Sequence, residues 1–184
     1  STPTFRWNAL VATVPGGPFT YQIQIDDVAT FVSPAQEATT TLANPLTYTA
    51  TLLPNGRYLW RVRALNSYGA VGVWSVPRAF TVDADLPAVP VLLGPANGTN
   101  VTNRMLTLSW QAVPGTALYE IRLDTTTAFT QPAPPGTAAP AYRTLIPLSR
   151  GTYYWQVRAL DAAGNASAWS APWSFTVVAG ITIA

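Results

Sequence analysis

The side chains of this 184-residue chain restrict the chemistry that it can perform. Cysteine and histidine are absent, which excludes serine–histidine–aspartate and cysteine–histidine catalysis and the usual zinc, copper, iron–sulfur and haem ligand sets. Eight carboxylates remain, but they are scattered, whereas a glycosidase needs two that face each other across a cleft. We therefore predict a protein that is not an enzyme and that needs no cofactor.

Four aspartates lie at the ends of expected strands, where a carboxylate could help to bind calcium: Asp26, Asp27, Asp124 and Asp161. None of them belongs to a dense loop of oxygen ligands such as an EF-hand, and aspartate often caps turns through hydrogen bonds with nearby backbone. We predict turn caps and no metal site, with calcium left as the alternative.

Tryptophan and arginine recur in a pattern that indicates mutual stacking. Trp74 follows a predicted strand that carries Arg61 and Arg63, and Trp169 follows a matching strand that carries Arg158. The surrounding letters, WSVP and WSAPWS, resemble the W-S-x-W-S signature of cytokine receptors, where tryptophan interleaves with arginine on the outer face of a strand. Each such contact is worth about 0.5–2 kcal/mol. The alternative is that these indoles are exposed and stack on sugar rings.

Three asparagines match the Asn-x-Ser/Thr pattern of N-glycosylation: Asn97, Asn100 and Asn165. All three fall in turn-like stretches of the second half of the chain. Such triplets also arise by chance in a threonine-rich sequence, so glycosylation is a hypothesis only.

The elements that must position these side chains occur twice in the sequence. RYLWRVRALNSYGAVGVWS at residues 57–75 is echoed 95 residues later by TYYWQVRALDAAGNASAWS at residues 152–170. YQIQID at residues 21–26 is echoed 98 residues later by YEIRLD at residues 119–124. The separation between matching motifs changes from 95 to 98 residues while the motifs themselves are retained. This indicates two homologous units that differ by loop insertions.

Each repeated stretch alternates apolar and polar residues, which is the period of a half-buried β-strand. Tyr58, Trp60 and Val62 share one face of such a strand, and arginine occupies the other face. Seventeen prolines and twelve glycines, spread along the chain, favour many short strands with frequent turns. The predicted fold class is all-β, with two tandem immunoglobulin-like β-sandwiches joined by a short linker.

The shared motifs resemble fibronectin type III domains of bacterial secreted or cell-surface proteins. They are a tryptophan near the start of each unit, the Y-x-W-x-V-x-A-L strand and the closing W-S-x-P-x-x-F-T-V. The resemblance covers nearly all of both halves and implies an extracellular or cell-surface location. It also implies a tyrosine corner at Tyr58 and Tyr153, where the phenol bonds back to nearby backbone. The second copy departs from the pattern by placing Pro147 before Leu148.

The repeats predict four segments: a fibronectin type III-like domain at residues 1–83, a linker at 84–90, a second such domain at 91–178 and an extended tail at 179–184. Only six residues precede Trp7, so the first domain is expected to lack the opening strand that the second domain has.

An unpaired sheet edge offers free N–H and C=O groups to any extended segment. The surplus tail of a neighbouring molecule could supply that segment, and the hypothesised donor residues are Ile181, Thr182 and Ile183. Because this contact does not close on itself, its repetition would build a filament.

Charge and hydropathy restrict the partners. Charged residues make up 10% of the chain, against about 25% in an average domain, and the net charge is only +2. Nucleic-acid binding would need a basic stripe, whereas the arginines here are scattered, so no nucleic-acid partner is predicted. No apolar run approaches the roughly 18 residues of a membrane span, and Ser1 opens no signal segment.

The function predicted from these patterns is that of a non-catalytic extracellular structural or adhesive module. Its expected partner is protein, either another copy of the chain or another surface protein, and filament assembly is the sharpest form of this hypothesis. The alternative is a carbohydrate-binding accessory module of a secreted hydrolase, whose partner would be a polysaccharide.

Overall fold

The computed structural model describes residues 2–10, 18–40 and 46–180. Within these ranges the chain forms thirteen β-strands and no helix, and accordingly no helix there could cross a membrane. The chain folds as two compact units, Ser1–Ala84 and Asp85–Ala184. The division lies at the start of the predicted linker, while the exact limits of the linker and the tail remain predictions.

The described residues of the first unit form six strands: β1 (Thr4–Trp7), β2 (Thr20–Asp26), β3 (Gln36–Thr40), β4 (Leu46–Thr49), β5 (Gly56–Leu65) and β6 (Arg78–Val82). Four of them form an antiparallel sheet in the order β3-β2-β5-β6, and β1 pairs with β4 in a second sheet. The alternation along β2 buries Ile23 and Ile25, which pack with Phe5 and Val82 in the core between the sheets. Burying aliphatic and aromatic surface in this way is the main force that holds the two layers together.

Up to residue 180, the second unit forms seven strands: β7 (Leu92–Gly94), β8 (Thr99–Val101), β9 (Thr107–Trp110), β10 (Thr116–Asp124), β11 (Ala141–Arg143), β12 (Gly151–Asp161) and β13 (Trp173–Val177). One sheet has the order β11-β9-β7 and the other the order β10-β12-β13-β8, in which β8 runs parallel to β13. Trp110, Ile121, Trp155 and Phe175 fill its core. The predicted all-β class with two sandwiches is confirmed.

The two units differ in how well one side of the core is covered. Trp110 and Trp155 are 2% and 0% exposed in the second unit, whereas their counterparts Trp7 and Trp60 are half-buried. In the second unit β7 pairs with β9 and β8 pairs with β13. Among the residues described, no strand pairs with the corresponding edges of β1 and β6.

Both units repeat the tyrosine corner. The hydroxyl of Tyr58 donates to the C=O of Pro54 at 3.2 Å, and the hydroxyl of Tyr153 donates to the C=O of Ser149 at the same distance. Each bond links the loop that precedes a central strand, β5 or β12, to the tyrosine near the start of that strand. The altered proline position in the second copy therefore leaves the corner intact.

The duplication extends to an unusual backbone conformation. Phe31 and Phe129 follow β2 and β10 by five residues and have φ angles of 51° and 49°. Residues other than glycine rarely occupy this left-handed region, so the surrounding structure must hold each phenylalanine in place. In the first unit the guanidinium of Arg61 lies over the Phe31 ring, 4.1 Å from its centroid.

Two of the aspartates noted above cap turns in the second unit. Asp124 accepts backbone N–H bonds from Thr125 at 2.6 Å and from Gln131 at 3.1 Å. Asp161 accepts bonds from both the backbone N–H and the side-chain amide of Asn165, at 2.9 and 2.8 Å. In the described part of the chain, no three acidic side chains gather into a group that could hold a metal ion.

The second unit is expected to lose stability in acid. The pKa of Asp124 lies below its ordinary value of 3.8, chiefly because of the Gln131 N–H, and the pKa of Asp161 is also lowered, chiefly by the Asn165 side chain. A lowered folded-state pKa contributes stability that is present above the unfolded pKa and is lost as the pH falls through the folded value. Calorimetry should therefore show the unfolding temperature of this unit falling below about pH 4. In an Asp124→Asn/Asp161→Asn variant the fall should be shallower; an equally steep fall would contradict the assignment.

Candidate functional site

The first ladder consists of Trp74, Arg61 and Arg63. The two arginines alternate on the outer face of β5, and their Cζ atoms lie 4.5 and 4.3 Å from the centroid of the Trp74 ring. Trp74 is held at this place by the next residue, because Ser75 exchanges two hydrogen bonds with the backbone of Val62. The Ser75 N–H donates to the Val62 C=O at 2.8 Å, and the Val62 N–H donates to the Ser75 Oγ at 3.1 Å.

Two glutamine side chains and the carboxylate of Glu37 orient the arginines of the first ladder. Arg61 donates to the Oε1 atom of Gln24 through Nε at 2.9 Å and Nη2 at 2.7 Å, and Arg63 donates to the Oε1 atom of Gln22 at 2.7 Å. Both glutamines in turn donate to the carboxylate of Glu37. Burial lowers the pKa of Arg61, and the like charge of Arg63 lowers it further. Arginine still keeps its proton at neutral pH, so the ladder is cationic.

The second ladder consists of Trp169, Arg122 and Arg158. The Cζ atoms of the two arginines lie 4.3 and 4.8 Å from the centroid of the Trp169 ring. Glu120 anchors Arg158, because its Oε2 atom lies 2.7 Å from Nε and 2.6 Å from Nη2. Sequence reasoning assigned Arg158 to this ladder but missed Arg122, which lies on the neighbouring strand β10.

Arg122 was missed because glutamine and arginine have changed places between the two paired strands. Gln24 of β2 lies opposite Arg61 of β5 in the first unit, and Arg122 of β10 lies opposite Gln156 of β12 in the second. The same pair of side chains is present in both units, but glutamine and arginine have changed strands. Aligning the two repeats exposes this exchange, since Gln24 aligns with Arg122 and Arg61 aligns with Gln156.

The ladders leave little aromatic surface for a ligand. Trp74 and Trp169 are half-buried, and two guanidinium groups already lie over each ring. Each of the four cation–π contacts contributes about 0.5–2 kcal/mol. In each unit, two of these contacts hold the segment that precedes the last strand against the outer face of the sheet. Nothing in this arrangement presents a nucleophile or a pair of facing carboxylates.

Trp173 is the one tryptophan without a counterpart in the first unit, where Arg78 takes its place. It is half-buried and packs edge-on against Trp155, with ring centroids 6.3 Å apart and an interplanar angle of 87°. Trp173 therefore covers the second core rather than offering a platform to a sugar.

The three asparagines of the glycosylation triplets differ in their surroundings. Asn97 is exposed, and its Oδ1 atom accepts the Ser174 N–H at 2.8 Å. Asn100 is exposed on β8. Asn165 is half-buried, and its Nδ2 atom, which would carry a glycan, donates to Asp161. Glycosylation remains a hypothesis at all three positions. The hypothesised donor strand, Ile181 to Ile183, lies outside the described residues.

A cleft of about 510 Å³ opens on the first unit beside β1. Trp7 and Trp60 lie in it, and Arg6 and Arg78 are among the side chains that line it. A second, more apolar cleft of about 350 Å³ continues past Trp7 and Tyr21.

The chain is similar in sequence to one family model and to one secreted enzyme. The family model described as Rha78A-like, N-terminal immunoglobulin domain matches residues 136–179. Endoglucanase B of Cellulomonas fimi is 37% identical over 153 residues, which is 76% of this chain but 14% of that protein. The chain thus spans about one-seventh of the length of this relative.

Two solved structures share the fold of the chain. The FN1-FN3 domains of chicken CNTN1 superpose with a TM-score of 0.63 at 17% identity, covering 95% of this chain and 61% of that one. The fibronectin(III)-like modules of Clostridium thermocellum CbhA superpose with a TM-score of 0.60 at 17% identity, covering 92% and 82%.

The chain has the fold of two tandem fibronectin type III-like domains, as the sequence motifs implied. Domains of this fold are typically non-catalytic, and the match to Endoglucanase B covers only 14% of that enzyme.

Proposed function

We propose that this pair of domains is a non-catalytic accessory segment of a secreted polysaccharide hydrolase. The observation that carries the proposal is the similarity to Endoglucanase B, which involves most of this chain but a minor part of that protein. A composition with only 10% charged residues supports an extracellular location. This proposal keeps the part of the alternative function that assigns the chain to a secreted hydrolase, and it replaces the adhesive function expected from the sequence.

The geometry of the ladders favours a structural role within such an enzyme over direct binding of sugar. Stacking on a pyranose needs an exposed indole face, whereas Trp74 and Trp169 are each covered by two arginines. The domains would then act as a folded segment between other parts of the enzyme. The relatives described above give no support to adhesion or to filament assembly.

A fusion enzyme tests the accessory role. The chain is placed between an endoglucanase catalytic domain and a cellulose-binding module, and is compared with a Gly–Ser linker of equal residue count. A flexible linker samples many separations, whereas a folded segment restricts them. We expect equal hydrolysis of soluble carboxymethylcellulose by the two fusions but faster hydrolysis of insoluble cellulose by the fusion with the folded segment. Equal rates on insoluble cellulose would argue against the proposal.

A further inference from the structure

We infer that an exposed apolar segment of the first unit, residues 68–76 between β5 and β6, is a docking surface for the catalytic domain of the enzyme that these modules accompany. The complementary surface has apolar side chains at its centre and carboxylates at its rim. This inference rests on the proposed accessory role and names the partner that such a role requires.

Four large apolar side chains of the segment project into solvent. They are Tyr68, Val71, Val73 and Val76, whose exposed fractions are 86%, 50%, 94% and 85%. Val73 and Val76 line adjoining clefts that share Ser75, so they lie close to each other on the surface. Single exposed apolar residues are ordinary, whereas a group of them marks a site of interaction with another protein.

The second unit shows that the fold does not require these side chains. The four aligned residues are all alanine: Ala163, Ala166, Ala168 and Ala171. Ala163, Ala168 and Ala171 are exposed as well, although β7 and β8 are present in that unit. These positions are therefore exposed in both copies of the loop, and only the first copy places large apolar side chains at them.

Hydrogen bonds hold the tip of the segment in one conformation. The Oδ1 atom of Asn66 accepts the N–H of Tyr68 at 3.0 Å and the N–H of Ala70 at 2.8 Å. The N–H of Gly69 donates to the C=O of Asn66 at 3.1 Å, and Gly69 has a φ angle of 83°, which glycine adopts without strain. Because the turn is already ordered, Tyr68 would lose little conformational entropy when a partner binds.

Charge favours a partner that carries carboxylates. No acidic residue occurs between Glu37 and Asp83, whereas the same stretch contains four arginines. One of them, Arg78, is exposed two residues after Val76, and it makes no ion pair with any described residue. A second copy of the chain would present the same cations and be repelled, whereas a surface with carboxylates at its rim would be attracted.

The side chains of the segment suit a protein partner better than a polysaccharide. Valine offers no hydrogen bond to a sugar hydroxyl, and three of the four exposed side chains are valines. An apolar centre that contains tyrosine, with arginine at its rim, is the usual composition of a protein–protein interface.

Proteolysis of a fusion protein under native conditions tests the docking. The intact chain is joined to the catalytic domain of Endoglucanase B, and the rate at which that domain is cleaved is measured. The fusion gives the two surfaces an effective concentration of about millimolar, so that a weak contact is populated. The comparison is a four-alanine variant, Tyr68→Ala/Val71→Ala/Val73→Ala/Val76→Ala, which copies the loop of the second unit. We expect the parent fusion to be cleaved at least about threefold more slowly, because docking stabilises the folded catalytic domain.

Two sets of control variants locate the contact. Leu145→Ala/Ile146→Ala removes two side chains of the second unit that are each 72% exposed, and it should leave the protection unchanged. Arg78→Glu should reduce the protection at least about twofold, whereas Arg78→Lys should retain it. Chemical denaturation of each variant checks that the first unit is still folded.

Equal cleavage of the parent and four-alanine fusions would overturn the inference, and so would an equal loss of protection in Leu145→Ala/Ile146→Ala. Sedimentation velocity should show a monomeric isolated chain; a dimer that the four alanines abolish would assign the surface to a second copy and overturn the inference. Faster hydrolysis of insoluble cellulose by the four-alanine fusion than by the Gly–Ser fusion, without protection of the parent, would leave the accessory role standing alone. Failure of the accessory role is seen separately, as hydrolysis no faster than with the Gly–Ser linker.

Discussion

Trp155→Ala is expected to unfold the second unit under conditions in which the first unit stays folded. Trp155 is 0% exposed and packs against Trp173 in the centre of the second core. Truncating a buried aromatic residue to alanine costs about 3–5 kcal/mol, because it removes apolar contacts and leaves a cavity. That is a large part of the roughly 5–15 kcal/mol that stabilises an ordinary domain.

Differential scanning calorimetry measures this effect directly, since each unit has its own core and should unfold in its own transition. One transition should fall steeply in Trp155→Ala while the other keeps its midpoint. The matched control is Trp60→Ala in the first unit. Because Trp60 is only half-buried, its replacement should lower the other transition by a smaller amount. A single transition that both variants shift equally would show that the two cores are not independent.

The second large effect on stability is expected from the exchange of glutamine and arginine between paired strands. Arg61→Gln removes the guanidinium that lies 4.1 Å from Phe31 and 4.5 Å from Trp74, and should destabilise the first unit by about 1–3 kcal/mol. Adding Gln24→Arg should recover most of that loss. The double variant recreates on β2 and β5 the arrangement that Arg122 and Gln156 have in the second unit.

Chemical denaturation of the single and double variants measures the recovery. The second single variant, Gln24→Arg, completes a double-mutant cycle, and it should be destabilising because it places two arginines opposite each other. The cycle should yield a favourable coupling of at least about 1 kcal/mol. If the double variant is no more stable than Arg61→Gln, an arginine on β2 cannot replace the one on β5, and the predicted equivalence of the two arrangements is wrong.

The strands and the duplication could be predicted from the sequence because both depend on local patterns. Alternation in YQIQID and YEIRLD determines which side chains face the core, and the repeated phrases identify two copies of one sandwich. The same alternation puts Arg61 and Arg63 on the outer face of a strand, where the structure brings them to Trp74. A role for the ladders beyond packing stays a prediction.

Features that depend on pairing between strands could not be predicted in this way. Arg122 reaches Trp169 only because β10 and β12 pair in one particular register. The alternation of apolar and polar residues along a strand does not specify that register on its own. The degree of burial of Trp7 and Trp60, which are half-buried, likewise depends on neighbouring strands that the alternation along one strand does not reveal.

Sedimentation of the intact chain with insoluble cellulose tests most directly whether its role is structural. With the indoles of both ladders covered by arginine, the chain should remain in the supernatant, and cello-oligosaccharides should leave its tryptophan fluorescence unchanged. Co-sedimentation that is lost on Trp74→Ala or Trp169→Ala, with folding intact, would contradict this account and assign sugar binding to the ladders.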